Sequence, residues 1–172
     1  DMEKYCFGVD LGGTTVKMGL FKPDGELVDK WEIPTVKDNG GSKILPDIAD
    51  SILNKMKEKN IEKDNVIGVG IGVPGPVDPN GICNKAVNLG WEDKIDLEGE
   101  MKKLTGLNVK GGNDANVAAL GEAWKGGAEG YSDVVVVTLG TGIGGGIIVQ
   151  GKMLVGANGA GGEIGHIHVV DD

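Results

Sequence analysis

Asp10-Leu11-Gly12-Gly13-Thr14-Thr15 is the stretch on which the reading of this chain turns. One short apolar run, residues 5–10, leads into it, and a second, residues 16–21, leaves it. Two adjacent glycines between such runs mark a tight hairpin, because residues without a Cβ reach backbone conformations closed to others. Backbone N–H groups in a turn of this kind point outward and bind anionic oxygens. Thr14 and Thr15 add hydroxyl donors. Asp10, at the end of the first strand, can hold Mg²⁺, through water because Mg²⁺ keeps much of its hydration shell. Lys17 faces either bound phosphates or solvent. The turn leads into another strand, not a helix, and no Gly-Lys-Ser/Thr follows, so the Rossmann and P-loop patterns are both excluded.

Working outward, Lys22-Pro23-Asp24-Gly25 is a turn signal, and residues 26–34 read as a third strand, so the chain opens with an antiparallel meander. Gly40, Gly41 and Ser42 break the pattern. Ile44, Leu45, Ile48, Ile52, Leu53 and Met56 then recur at helical spacing. Pro46 is tolerated only in a first turn, so the helix begins close to it. Residues 66–73 alternate glycine with Val and Ile, the mark of a buried strand in close contact with its neighbours, and Pro74-Gly75-Pro76 stops it. An irregular stretch is expected to about Asp93, then a short helix over 97–104 and a short strand over 107–110. Asn113-Asp114 caps a helix through Val117, Leu120 and Trp124. Strands follow at 132–139, 147–149 and 153–155.

The opening pattern recurs. Residues 7–15 lead through a Leu-Gly turn into a strand and a turn at Gly25, and residues 135–143 lead through Leu139-Gly140-Thr141-Gly142 into a strand and a turn at Gly151. The repeat implies two domains of like topology, each offering a glycine hairpin to a shared cleft. Gly12, Gly13, Gly140 and Gly142 would allow close backbone approach to phosphates, and Thr14, Thr15 and Thr141 would add donors. One glycine-rich hairpin is most often only a turn; a facing pair with an acid at the strand end is a nucleotide clamp. The expected organisation is a complete small α/β domain over 1–112 and the start of a second, larger one over 113–172.

Composition narrows the partners. The formal net charge of −9 repels nucleic-acid phosphates and anionic membranes. Cys6 and Cys83 stand in unrelated contexts with no metal-ligand spacing. No apolar run is long enough to span a membrane, and no signal peptide is evident, so a cytoplasmic location is expected.

Two further groups could supply an acceptor. Asp114 sits at a helix start, where the dipole favours its ionised form, and an ionised carboxylate can take a proton from a hydroxyl. Asn113 could hydrogen-bond a sugar hydroxyl. Both residues also make ordinary helix caps. Glu163 and His166, three apart among glycines, could grip vicinal hydroxyls or a metal. His168 is most simply a strand residue on the face opposite Ile167.

Together the stretches 10–17, 72–78, 88–91, 113–122, 139–146 and 162–166 resemble the ROK family (repressors, open reading frames, sugar kinases), most closely its glucokinases. They come in the family's order and cover nearly the whole chain. The resemblance implies the actin-like ATPase (ribonuclease H-like) fold and phosphoryl transfer from Mg-ATP to the 6-hydroxyl of glucose. Asp114 would be the general base. Asn113, Glu163 and His166 would contact the sugar, with the turn at Gly75 lining the same pocket. Asp10, Gly12, Thr14 and Thr141 would belong to the Mg-ATP site. In the family, the histidine matched by His166 also ligates a structural zinc with cysteines further along, which would lie beyond Asp172. The adenine pocket and much of a homodimer surface would lie there too. The isolated chain is therefore expected to be inactive, with a second chain carrying the remainder left open. Kinases of fructose, mannose or N-acetylhexosamines, and a non-catalytic sugar-sensing relative, are the competing readings.

Overall fold

Strand β1 (Tyr5–Leu11) pairs antiparallel with β2 (Thr15–Phe21), and β2 with β3 (Leu27–Pro34), which is the expected meander. The computed structural model describes residues 3–22 and 27–113, and beyond them the backbone of four strand segments. After β3 comes one distorted helical turn, α1 (Asp38–Gly41), with positive φ at Asn39, Gly40 and Gly41. The main helix follows as α2 (Ile44–Lys59). Pro46 is its third residue, where a backbone N–H has no intrahelical acceptor to lose. Asn60 ends the helix in the left-handed region, and its N–H closes onto the Lys57 and Met56 carbonyls.

Strand β4 (Val66–Val73) is buried along its whole length and runs parallel to β1. The stretch expected to be irregular contains a small antiparallel pair, β5 (Ile82–Cys83) with β6 (Ile95–Asp96). Asp96 caps α3 (Leu97–Thr105), accepting a hydrogen bond from the Gly99 N–H at 3.1 Å. Strand β7 (Val109–Asn113) lies parallel to β4 and reaches further than the 107–110 reading, through Gly111 and Gly112. Glycines form strands poorly. Here the pairing with β4 and the Glu98 carboxylate, which accepts from the Gly111 N–H at 2.8 Å, hold them extended.

The resulting sheet has the order β3-β2-β1-β4-β7. Period-two alternation puts Phe7, Val9 and Leu11 of β1 on the same face as Val16, Met18 and Leu20 of β2. That face packs with Ile44, Ile48 and Ile52 of α2 and Leu97 and Met101 of α3, all buried. Burying each such side chain contributes on the order of 1.5–3 kcal/mol. Trp31 of β3 ties the meander's edge to α2. Its ring meets Phe7 edge-on at 6.3 Å, its Nε1–H donates to Ser51 Oγ at 2.8 Å, and the Lys55 ammonium sits 4.4 Å above it.

A second sheet, of order β11-β10-β9-β8, is built from β8 (Val134–Val137), β9 (Gly146–Val149), β10 (Lys152–Asn158) and β11 (Ile164–Asp171), all antiparallel. Its first hairpin keeps the register of β1 and β2. Cys6 pairs with Phe21 and Val134 with Val149; Phe7 pairs with Leu20 and Val135 with Ile148. Each partner is displaced by the same 128 positions that separate the two Leu-Gly turns in sequence.

Candidate functional site

Parallel strands deliver their C-terminal ends to one edge of a sheet, and ligands of α/β proteins bind there. The parallel strands here are β1, β4 and β7. Asp10 lies in register with Gly72, and Gly72 with Gly112. Val73 is in register with Asn113. One edge therefore receives the turn after Asp10, the turn at Gly75 and the end of β7 at Asn113. Two inter-strand spacings separate the outer members, about 10 Å.

The turn after β1 is closed by a hydrogen bond from the Gly12 N–H to the Thr15 carbonyl at 3.1 Å. This closure explains Gly12, because a Cβ there would stand 2.7 Å from the Thr15 oxygen, a backbone atom that cannot give way. A Cβ at Gly13 would make only ordinary contact with Asn88, at 3.5 Å. The Gly12 N–H is thus engaged within the turn. Gly13 and Thr14 N–H groups have no acceptor among the described residues, and Thr14 is exposed. Thr35, which no motif had singled out, donates its hydroxyl to the Gly12 carbonyl at 2.7 Å and its N–H to the Thr14 carbonyl at 2.9 Å.

Asp10 is half-buried and stands directly opposite Lys17, which in turn stands opposite Glu32. Directly opposed residues share a face. Lys17 is half-buried on the Asp10 face and makes no ion pair within 4.0 Å among the described residues.

The turn at Gly75 rests on the segment after β5. A Cβ at Gly75 would lie 2.6 Å from the Lys85 carbonyl oxygen, so only glycine allows this approach. The same segment continues through the Ala86–Trp91 bridge to Asn88, beneath Gly13. The two turns are therefore braced on one loop. Cys83 is buried beside Gly75, and burial pushes its thiol up from the ordinary range; burial pushes the Cys6 thiol further in the same direction. Neither thiol ionises near neutral pH.

Of the remaining candidates, Asn113 is the last residue of β7 and His166 lies within β11, in both cases as backbone. His168 lies in β11 as a strand residue, paired with Val155. Asp114, Gly140, Thr141, Gly142 and Glu163 lie outside the described residues, as does the helix expected after Asn113. No cluster of three or more His, Cys, Asp or Glu is gathered among the described residues. Mg²⁺ needs no such cluster, because water and substrate phosphates supply most of its ligands, and Asp10 at this edge fits that role. Cys6 and Cys83 are both buried and are not the cysteines of the structural zinc that the resemblance implies, which would lie beyond Asp172. A groove of about 770 Å³ lined by Asp50, Asn54, Lys57, Asn60 and Asp64 opens where the chain enters β4, at the opposite end of that strand from the turns. No helix among the described residues is long and apolar enough to cross a membrane.

A glucokinase of Halalkalibacterium halodurans is 46% identical over 171 residues, covering 99% of this chain and 52% of that protein. Among solved structures, a ROK hexokinase from Thermus thermophilus superposes with a TM-score of 0.58 at 31% identity, covering 94% of this chain and 52% of that one. A ROK glucokinase from Streptomyces griseus in complex with glucose and AMPPNP gives a TM-score of 0.53 at 33% identity, covering 87% and 46%. The chain spans about half the length of these relatives. The actin-like ATPase fold that the resemblance implies is the fold of these neighbours. The ROK family model matches residues 6–172, and the chain belongs to the ROK family.

Proposed function

We propose that the protein carrying this chain is an ATP-dependent hexose kinase acting on glucose. The observation that supports this most is the register Asp10–Gly72–Gly112, which sets the phosphate turn and the end of β7 about two strands apart on one edge. Terminal phosphate bound at the turn would then lie within reach of an acceptor held at Asn113 and Asp114. The AMPPNP and glucose of the Streptomyces griseus glucokinase complex are ligands of that chemistry.

In this reading the Gly13 and Thr14 N–H groups and the Thr14 and Thr15 hydroxyls hold phosphate oxygens, with Lys17 adding positive charge. Thr141, between Gly140 and Gly142, closes on the nucleotide from the second hairpin. Asp10 would hold Mg²⁺ through water, and the ion would supply neutralising charge at the phosphates. Gly75, Asn113, Glu163 and His166 orient the sugar. Asp114 accepts the proton of the 6-hydroxyl as that oxygen bonds to the γ-phosphorus. The bond from this phosphorus to the bridging oxygen breaks, and ADP leaves. The transition state is loose, so positioning and electrostatics dominate over the strength of the base.

ADP release by the complete gene product, measured with glucose, fructose, mannose and N-acetylglucosamine in turn, tests the substrate. Glucose should give the highest kcat/KM. A different preferred sugar would reassign the substrate, and ATP hydrolysis indifferent to every sugar would reject the kinase reading.

A further inference from the structure

The peptide between Gly12 and Gly13 is flanked by two residues without Cβ atoms, so little in its own chemistry decides which way it faces. Its orientation matters. A trans peptide is planar, with its C=O and N–H pointing in opposite directions. With the Gly13 N–H toward a phosphate, the link offers a donor; turned over, it would present the Gly12 carbonyl oxygen to another anion.

A symmetric two-residue hairpin loop would have the Thr15 N–H donate back to the Gly12 carbonyl. That bond is not made among the described residues. Thr35 takes its place, with its hydroxyl 2.7 Å from the Gly12 oxygen. The Thr35 N–H also holds the Thr14 carbonyl at 2.9 Å, which fixes the next peptide but one. Thr35 is delivered there by the pairing of Pro34 with Thr15 at the end of β3. Proline has no N–H, so the first donor available past the strand end is that of Thr35.

We infer that Thr35 is a positioning residue for the phosphate turn. Its hydroxyl locks the Gly12–Gly13 peptide with the carbonyl drawn away from the ligand and the Gly13 N–H toward it. The role rests on the turn binding nucleotide phosphates, as in the proposed kinase, and Thr35 itself need not touch the nucleotide. A residue that only stabilised the fold would depress both substrates' parameters together. A residue that orients this one peptide acts on the nucleotide alone.

The test uses the complete gene product and three variants. Thr35→Val keeps the shape and loses the hydroxyl, Thr35→Ser keeps the hydroxyl, and Thr35→Ala leaves room for water if the valine variant does not fold. We expect the valine or alanine variant to raise KM for ATP, and the dissociation constant for AMPPNP measured by calorimetry, about tenfold, the effect of one lost charge-assisted hydrogen bond. KM for the sugar should stay within about twofold, and the serine variant should remain near wild type in both. Unchanged AMPPNP binding in the hydroxyl-free variants would overturn the inference, as would an equal loss of sugar and nucleotide affinity or a serine variant as impaired as valine. Calorimetry separates this from the kinase reading: wild type that binds AMPPNP but phosphorylates no sugar rejects the kinase while leaving the Thr35 comparison intact.

Discussion

The two meanders of this chain share a register and differ in charge. Val9 pairs with Met18 in the first hairpin and Val137 with Gly146 in the second, 128 positions on. The same displacement takes Asp10 to Thr138 and Lys17 to Gly145. The acid and the lysine that face each other across β1 and β2 thus have neutral, small counterparts in the second copy. Their next turns differ as well. Phe21 pairs with Leu27 across five intervening residues, whereas Val149 pairs with Lys152 across two. A repeated scaffold with one charged turn and one neutral turn is suited to an unequal division of labour. In the proposed kinase the first turn would handle metal and phosphate charge, and the second would supply backbone and hydroxyl donors.

Of the changes that bear on this comparison, the largest effect should come from making the first turn resemble the second. Asp10→Thr in the complete gene product should lower kcat/KM for ATP by about 10²-fold or more, since it removes the only acid at the turn, placed where it can hold Mg²⁺. Thr138→Val, at the equivalent place, should change it by less than about threefold. Equal losses would break the proposed division of labour.

A smaller effect separates the two glycines of the first turn. Gly12→Ala should destabilise by about 1–3 kcal/mol in urea denaturation, because its methyl meets the Thr15 carbonyl. Gly13→Ala should change stability by less than about 0.5 kcal/mol, as its methyl meets Asn88 at ordinary distance. If the two cost the same, turn closure is not what selects glycine at position 12.

The smallest effect concerns the outer strand of the first meander. Lys55 donates to Asp29 at 2.8 Å and, as the leading cause, holds its carboxyl below the ordinary value. A depressed acid stabilises the fold above its unfolded pKa of about 3.9 and loses that contribution as pH falls through the folded value. Asp29→Asn should therefore cost about 1 kcal/mol or less at pH 7, with the difference from wild type shrinking as pH falls below about 4 and gone once pH is below the depressed folded value. A difference that persisted in acid would mean that the ion pair is not its source.

Much of this arrangement is legible in the residues themselves. The Gly12-Gly13 and Gly25 turns announce the first meander, Pro46 announces the start of α2, and the Gly-Val-Ile alternation announces the buried β4. Local propensity misleads at Gly111 and Gly112, where parallel pairing and the Glu98 carboxylate override two poor strand formers. The β5–β6 pair is too short to carry a period. Asp10 and Gly75 are visible as candidates because their residue types state their chemistry. Thr35 is not, since its importance arises only when the β2–β3 pairing brings it beneath Gly12, twenty-three positions away in the chain.

The central claim is that the edge carrying the phosphate turn also carries the base that activates the acceptor, and Asp114→Ala tests it most directly. Turnover of glucose and ATP by the complete gene product should fall by about 10²- to 10⁴-fold, the range for a general base, while glucose binding measured by calorimetry stays within a few-fold. Near-normal kcat in that variant would contradict the account, because the edge would then hold substrates without performing the chemistry assigned to it.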